Sequence, residues 1–173
     1  MHHYHCRQMN THHYSLYFDG GSRGNPGPSG SGSSLVDASG TEVWHDAHFV
    51  GPHETNNVAE YTGLLRGLSY LASLPHSSSC VVVVHGDSQL VIKQMKREYK
   101  VNNTRLHSLW QHCSDSAQKL LQVDYVHIPR AQNKRADALA NAAMDRDVRE
   151  IRDVRDVRDV RDARLEIIGN KGR

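Results

Sequence analysis

"YFDGGSRGNPGPSGSG", Tyr17 to Gly32, begins as an apolar strand and carries a carboxylate, Asp19, into a run of glycine and proline. From Tyr14 to Asp19 apolar and polar residues alternate, the period of a strand with one buried face. Gly20 to Ser29 holds too much glycine and proline to stay regular and reads as a loop. Gly30 to Val36 reads as a second strand, and Ala38-Ser39-Gly40 as a turn into a third, from Thr41 to about Val50. The chain thus opens as a three-stranded meander.

From Asn56 the period changes. Tyr61, Leu64, Leu65, Leu68, Leu71 and Ala72 follow the spacing of an amphipathic helix that ends near Pro75. "CVVVVHGD", Cys80 to Asp87, is a continuous apolar run suited to a strand buried on both faces. A short helix from Ser88 to about Arg97 follows. Beyond Asn102-Asn103, Leu106, Leu109, Trp110, Cys113, Ala117, Leu120 and Leu121 form the stripe of a longer helix. "VDYVHI" is a fifth strand, and Lys134 to Met144 a last helix with Ala136, Leu139, Ala140 and Ala143 inward. The order β-β-β-α-β-α-α-β-α predicts an α/β fold, a five-stranded mixed sheet flanked by helices.

Two end segments differ from this core, which spans 14–144. Residues 1–13 are rich in histidine without a metal-site spacing and read as a disordered leader. Residues 145–173 contain "RDVREIRDVRDVRDVRDARLE", whose period of three winds its valines around a helix axis and predicts a frayed, solvated helix or disorder. The core carries eleven basic and eleven acidic side chains, so attraction to a polyanion must come from clustering. Lys93, Lys96, Arg97, Lys100 and Arg105 provide it, with Glu98 the one acid among them. No apolar run is long enough to span a membrane and no signal-peptide pattern opens the chain, so an intracellular, soluble protein is expected. Cys6, Cys80 and Cys113 are odd in number and widely spaced, which favours free thiols.

Four acids stand out by position. Asp19 ends the first strand, Glu60 lies early in the first helix, Asp87 ends the fourth strand, and Asp137 lies in the first turn of the last helix. Taken singly they serve as a turn former, early-helix acids and an N-cap. Taken together, if the first and fourth strands are neighbours, they converge on one small volume, where their repulsion demands cations and selects Mg²⁺ or Mn²⁺.

"YFDGGSRGNPGPSGSG", "TNNVAEYTGLLRGL", "VHGDSQLVIKQM" and "HIPRAQNKRADALAN" resemble, in order and spacing, the four signature segments of type 1 ribonuclease H. The last segment resembles the archaeal and plant-type branch, which also occurs in retroelement-derived copies. The resemblance implies a ribonuclease H-like fold and hydrolysis of the RNA strand of RNA/DNA hybrids, leaving 3′-hydroxyl and 5′-phosphate ends. It makes Asp19, Glu60, Asp87 and Asp137 the catalytic ligands of two Mg²⁺ ions, replaceable by Mn²⁺. It also implies substrate contacts from Gly20, Gly21, Asn25, Thr55, Asn56, Asn57, Gln89 and Asn133. Gly20, Gly21 and Gly24 then let the backbone approach a nucleic-acid strand, and Thr55 is an N-cap, a phosphate contact or both.

This sequence departs from the family at two places. "KREYKVNNTRLHSLW" is too short for the basic protruding loop of some members, which leaves the basic cluster as its partial replacement. The loop that carries a proton-shuttling histidine in well-studied members is also missing. His127 and Arg130 are the candidates for its work, the first as proton carrier, the second as an electrostatic helper. The expected partner is an RNA/DNA hybrid met by a monomer away from membranes, with a retroelement polymerase as a further context. Two other classes compete: a silent module that binds hybrid or double-stranded RNA, and a retroelement remnant.

Overall fold

The computed structural model describes residues 10–145. The expectations for Cys6, for the leader up to residue 9 and for the repeat beyond 145 lie outside the described residues; His12 and His13, expected in the disordered leader, instead begin β1, paired with Cys80 and Val81 of β4. Five strands, β1 (His12–Ser22), β2 (Gly27–Asp37), β3 (Glu42–Glu54), β4 (Cys80–Gly86) and β5 (Gln122–His127), form one sheet in the order β3-β2-β1-β4-β5. β1, β2 and β3 run antiparallel, whereas β4 and β5 lie parallel to β1 and to each other. The helices are α1 (Asn56–Ser73), α2 (Gln89–Met95), α3 (Thr104–Ala117) and α4 (residues 134–145). This is the expected mixed sheet in the expected order. Among the described residues no helix is long and apolar enough to cross a membrane.

The glycine-rich run is mostly strand and not loop. β1 continues past Asp19, and the ladder pairs Asp19 with Gly32, Gly20 with Ser31, Gly21 with Gly30 and Ser22 with Ser29. Only residues 23–26 leave it. The glycines are there because helices rest on them. A Cβ on Gly20 would overlap the backbone of Ala59 and Glu60 in α1, and one on Gly32 the backbone of Ala136 and Ala140 in α4. On β2, Ser33 Oγ donates to the Gly63 carbonyl of α1 at 2.5 Å, while its neighbour Gly32 lies under α4. The two helices therefore cover opposite faces of the central strands.

Leu16, Phe18, Leu35, Tyr61, Leu64, Leu68, Leu71, Val82 and Val84 fill the core beneath α1 and α3. Cys80 and Cys113 are buried free thiols, as expected. β4 differs from the expectation of two buried faces, because Cys80, Val82, Val84 and Gly86 are buried while Val81, Val83 and His85 keep partial exposure. α3 also stops short of its stripe. Gln118 caps it, and the Leu121 N–H turns to the Cys80 carbonyl at 3.0 Å, so Leu120 is buried but Leu121 faces out.

α4 is moored from its first turn. Arg135 donates to both Glu42 oxygens of β3 at 2.8 Å each, and Ser34 Oγ donates to Glu42 Oε2 at 2.7 Å. These bonds, Arg135 first, pull the Glu42 carboxyl down to about 2. Gly32→Ala is expected to lower the urea midpoint, costing about 1–3 kcal/mol by overpacking; unchanged stability would show that α4 does not bear on β2 there.

Candidate active site

At the ends of β1 and β4 a cleft of about 570 Å³ opens, and Asp19, Glu60, Asp87 and Asp137 all line it. Gly20, Gly21, Asn56, His127 and Arg130 share its wall. Four separate stretches of chain supply the acids. Asp19 points from β1, next to the strand that pairs Phe18 with Gly86 and so brings Asp87 alongside. Glu60 is carried in by the seating of α1 on Gly20, and Asp137 by the mooring of α4.

Each acid has a donor of its own. The Gly20 N–H donates to Asp19 Oδ1 at 2.8 Å, and Ser88 Oγ donates to Glu60 Oε2 at 2.6 Å. Asn133 Nδ2 donates to Asp87 Oδ1 at 3.1 Å, Arg130 to Asp137 Oδ1 at 2.7 Å, and Asn141 Nδ2 to Asp137 Oδ2 at 3.2 Å. These donors do not cancel the cost of crowding. Burial above all, then the charges of Asp87, Asp137 and Glu60, push Asp19 up to about 7 despite the Gly20 hydrogen bond. Burial, aided by Asp87 and opposed by Ser88, pushes Glu60 up to about 7.

The other expected residues fall into distinct places. Thr55 is the N-cap of α1, accepting from Val58 N at 3.3 Å, so the capping role holds. Asn25 Oδ1 accepts from the Asn56 N–H at 3.1 Å and ties the β1–β2 turn to the start of α1. Gln89 is exposed at the first turn of α2, and Asn57 is half-buried. Ser88, and not Asp87, caps α2. Asn133, expected at the substrate, is 1% exposed and lies behind the cleft wall. Gly20 and Gly21 do border the cleft, but Gly20 is small because of α1, and Gly21 lies under the end of the Met144 side chain. Of Gly20, Gly21 and Gly24, only Gly24 has the left-handed backbone of a turn, with φ of 79°. His127 ends β5 with Nε2 at 3.2 Å from the Asp87 carbonyl, exposed to the cleft. Sequence reasoning missed Ser88, Asn141 and the anchoring pair Glu42 and Arg135; the serine directly after Asp87 was the one signal available.

Beyond this cleft, Gln94, Arg97, Tyr99, Lys100, His107 and Trp110 line a groove of about 360 Å³ in the α2–α3 connection. Lys93 Nζ stands 4.8 Å over the Tyr99 ring and the Arg97 guanidinium 5.9 Å over Trp110. Of the basic cluster, Lys93 and Arg97 thus stand over aromatic rings, whereas Lys96 pairs with Glu98 and Arg105 with Glu54.

A sheet ordered β3-β2-β1-β4-β5, with helices on both faces and acids leaving its two central strands, defines the ribonuclease H-like class of α/β proteins. The family profile described as "Reverse transcriptase-like" matches residues 17–143. Bifunctional protein Rv2228c of Mycobacterium tuberculosis is 40% identical over 127 residues, 73% of this chain and 34% of that protein. This chain therefore spans about a third of that relative's length. The ribonuclease H of Pseudomonas syringae pv. syringae is 34% identical over 146 residues, covering 75% of this chain and 91% of the relative. The crystal structure of LC11-RNase H1 in complex with an RNA/DNA hybrid superposes with a TM-score of 0.73 at 35% identity, over 78% of this chain and 99% of that one. The chain belongs to the type 1 ribonuclease H family.

The raised carboxyls fix a sign for stability. In metal-free protein, native Asp19 and Glu60 hold protons that the unfolded chain releases near their ordinary values of 3.8 and 4.5. Their contribution is therefore fully present below that range and is lost as pH rises to about 7. Thermal melts of metal-free protein should show Tm falling between about pH 4 and pH 7, with Asp19→Asn flattening the fall. A Tm that rises over that range in both proteins would contradict the burial assigned to these acids.

Proposed function

We propose that this protein is a metal-dependent endoribonuclease that hydrolyses the RNA strand of RNA/DNA hybrids, leaving 5′-phosphate and 3′-hydroxyl ends. The observation that carries the reading is the convergence of Asp19, Glu60, Asp87 and Asp137 on one cleft. Family membership supports the same reaction.

The residues present fit two Mg²⁺ ions, with Mn²⁺ as substitute. The donor set is all carboxylate oxygen, the chemistry hard divalent cations select. Asp19 and Glu60 carry a burial and repulsion cost that such cations would relieve. Asp19, Glu60, Asp87 and Asp137 are the residues that would hold the ions. Once bound, the ions supply a more acidic water and charge stabilisation at the scissile phosphate.

The protein's own groups do the rest. Gly20 and Ser88 each hold one oxygen of Asp19 and Glu60 and leave the other to the cleft. Arg130 stands at the cleft rim beside Asp137, where its permanent charge can hold a phosphate oxygen but cannot take a proton. With its Nε2–H given to the Asp87 carbonyl, His127 keeps Nδ1 as a base for proton transfer. Gly20, Gly21, Asn25, Thr55, Asn56, Asn57 and Gln89 are the proposed contacts to the hybrid; they read backbone shape and 2′-hydroxyls and give little sequence preference. The cluster around Tyr99 and Trp110 adds phosphate contacts, so affinity falls with salt.

Gel-resolved cleavage of an end-labelled RNA strand, offered as hybrid, as RNA duplex and alone, tests this. Cleavage of the hybrid only, lost with chelator and in Asp19→Asn while that variant still binds hybrid, is the expected result. Folded protein that binds hybrid without cutting would instead make the chain a binding module. For proton transfer, His127→Ala and Arg130→Ala are each expected to lower kcat, the first with a changed pH profile and the second without; equal wild-type turnover in either removes that residue from the mechanism.

A further inference from the structure

We propose that Asn133 is a positioning residue for Asp87: its buried side-chain amide decides which oxygen of that carboxylate faces the cleft and holds it in register with Asp19. The inference rests on the four acids being the metal-holding set.

Asn133 directly precedes α4, where an asparagine ordinarily turns its oxygen to the first N–H groups of the helix. Here that oxygen, Oδ1, is buried and has no partner among the described residues. The amide nitrogen instead donates to the Phe18 carbonyl at 2.8 Å and to Asp87 Oδ1 at 3.1 Å. Both partners are acceptors, so only the NH₂ end can face them and the amide has one admissible orientation. A side chain serving stability alone would satisfy its oxygen as well, because an unmet buried acceptor is costly. This one forgoes the cap and directs both of its protons at the site.

The placement is specific. Phe18 immediately precedes Asp19 and pairs with Gly86, which immediately precedes Asp87. One NH₂ group therefore ties the Asp87 side chain to the neighbouring strand at the residue before Asp19. With Oδ1 engaged, Asp87 offers Oδ2 to the cleft and behaves as a ligand through one oxygen. At 1% exposure Asn133 does not reach a substrate, so its influence passes through Asp87.

The test compares wild type, Asn133→Ala, Asn133→Asp and Leu71→Ala, the last a core truncation at the far end of α1 that lowers stability away from the cleft. Hybrid cleavage is measured well below each protein's Tm, and Mn²⁺ affinity by calorimetry on protein free of nucleic acid. In Asn133→Ala, kcat and Mn²⁺ affinity are each expected to fall by about 10–100-fold, with KM for the hybrid within about twofold. Asn133→Asp, which keeps the volume but has no N–H to give, is expected to do no better, while Leu71→Ala keeps both values. Loss of stability in Asn133→Ala with kcat and Mn²⁺ affinity retained would overturn the proposal, as would a rise in KM alone. Should neither Asn133 variant fold, the wild type decides: its Asn133 side-chain ¹⁵N signals are expected to exchange slowly with solvent and to shift on adding Mg²⁺, and unmoved signals refute the role. Wild type that binds Mn²⁺ yet cuts no hybrid would remove the nuclease reading and leave the calorimetric comparison to judge Asn133. Wild type that binds no Mn²⁺ overturns both.

Discussion

Helices α1 and α4 approach β1 and β2 so closely that backbone meets backbone, and the placement of the site follows from that contact. Gly20 and Gly63 mark the approach of α1, Gly30 and Gly32 that of α4. Close packing of this kind admits no extra methyl group without movement. Glu60 begins one turn along a helix whose distance from Asp19 is set by the missing side chain at Gly20. Asp137 is set in the same way by Gly32 and by the bidentate pair of Arg135 with Glu42. Carboxylates on surface loops would drift apart under their own repulsion. Here the repulsion is resisted by packing.

The donors around the acids follow a shared logic. Backbone, hydroxyl and amide groups each engage one oxygen of Asp19, Glu60 and Asp87, and within the described hydrogen bonds the second oxygen of each stays uncommitted. Asp137 alone has both oxygens engaged, by Arg130 and Asn141. Neutral donors fix direction without neutralising charge, which leaves the cleft electronegative. Among the described residues one guanidinium, that of Arg130, contacts the set, and it is largely exposed. The cleft wall thus separates groups that orient the acids from groups that face the opening.

Element types and their order could be read from hydrophobic period alone, because each strand and helix has an apolar face of the right repeat. The glycine run was misread for a physical reason. Glycine in a strand and glycine in a loop look alike in sequence, and the difference lies in which helix rests on it, a tertiary fact. The acids were readable because each stands on or directly beside a regular element, next to apolar neighbours, although β1 runs on past Asp19 to Ser22. The resemblance implies a substrate contact for Asn133, and its sequence position gives no sign of which way the side chain points; it is buried before the first turn of α4. The two-sided burial expected of β4 failed because partial cover of Val81, Val83 and His85 is compatible with the same apolar letters.

The bond between Asn133 and Phe18 joins residues 115 positions apart. On a ribosome, which delivers the amino-terminal strands first, the meander, α1 and β4 emerge well before α4 does. Three of the acids are then present without the fourth, and Asp87 lacks the amide that aims it. The cleft is therefore completed by the last segment of the described core to arrive: until α4 docks, Asp137 is missing from its wall and Asp87 has no amide beside it.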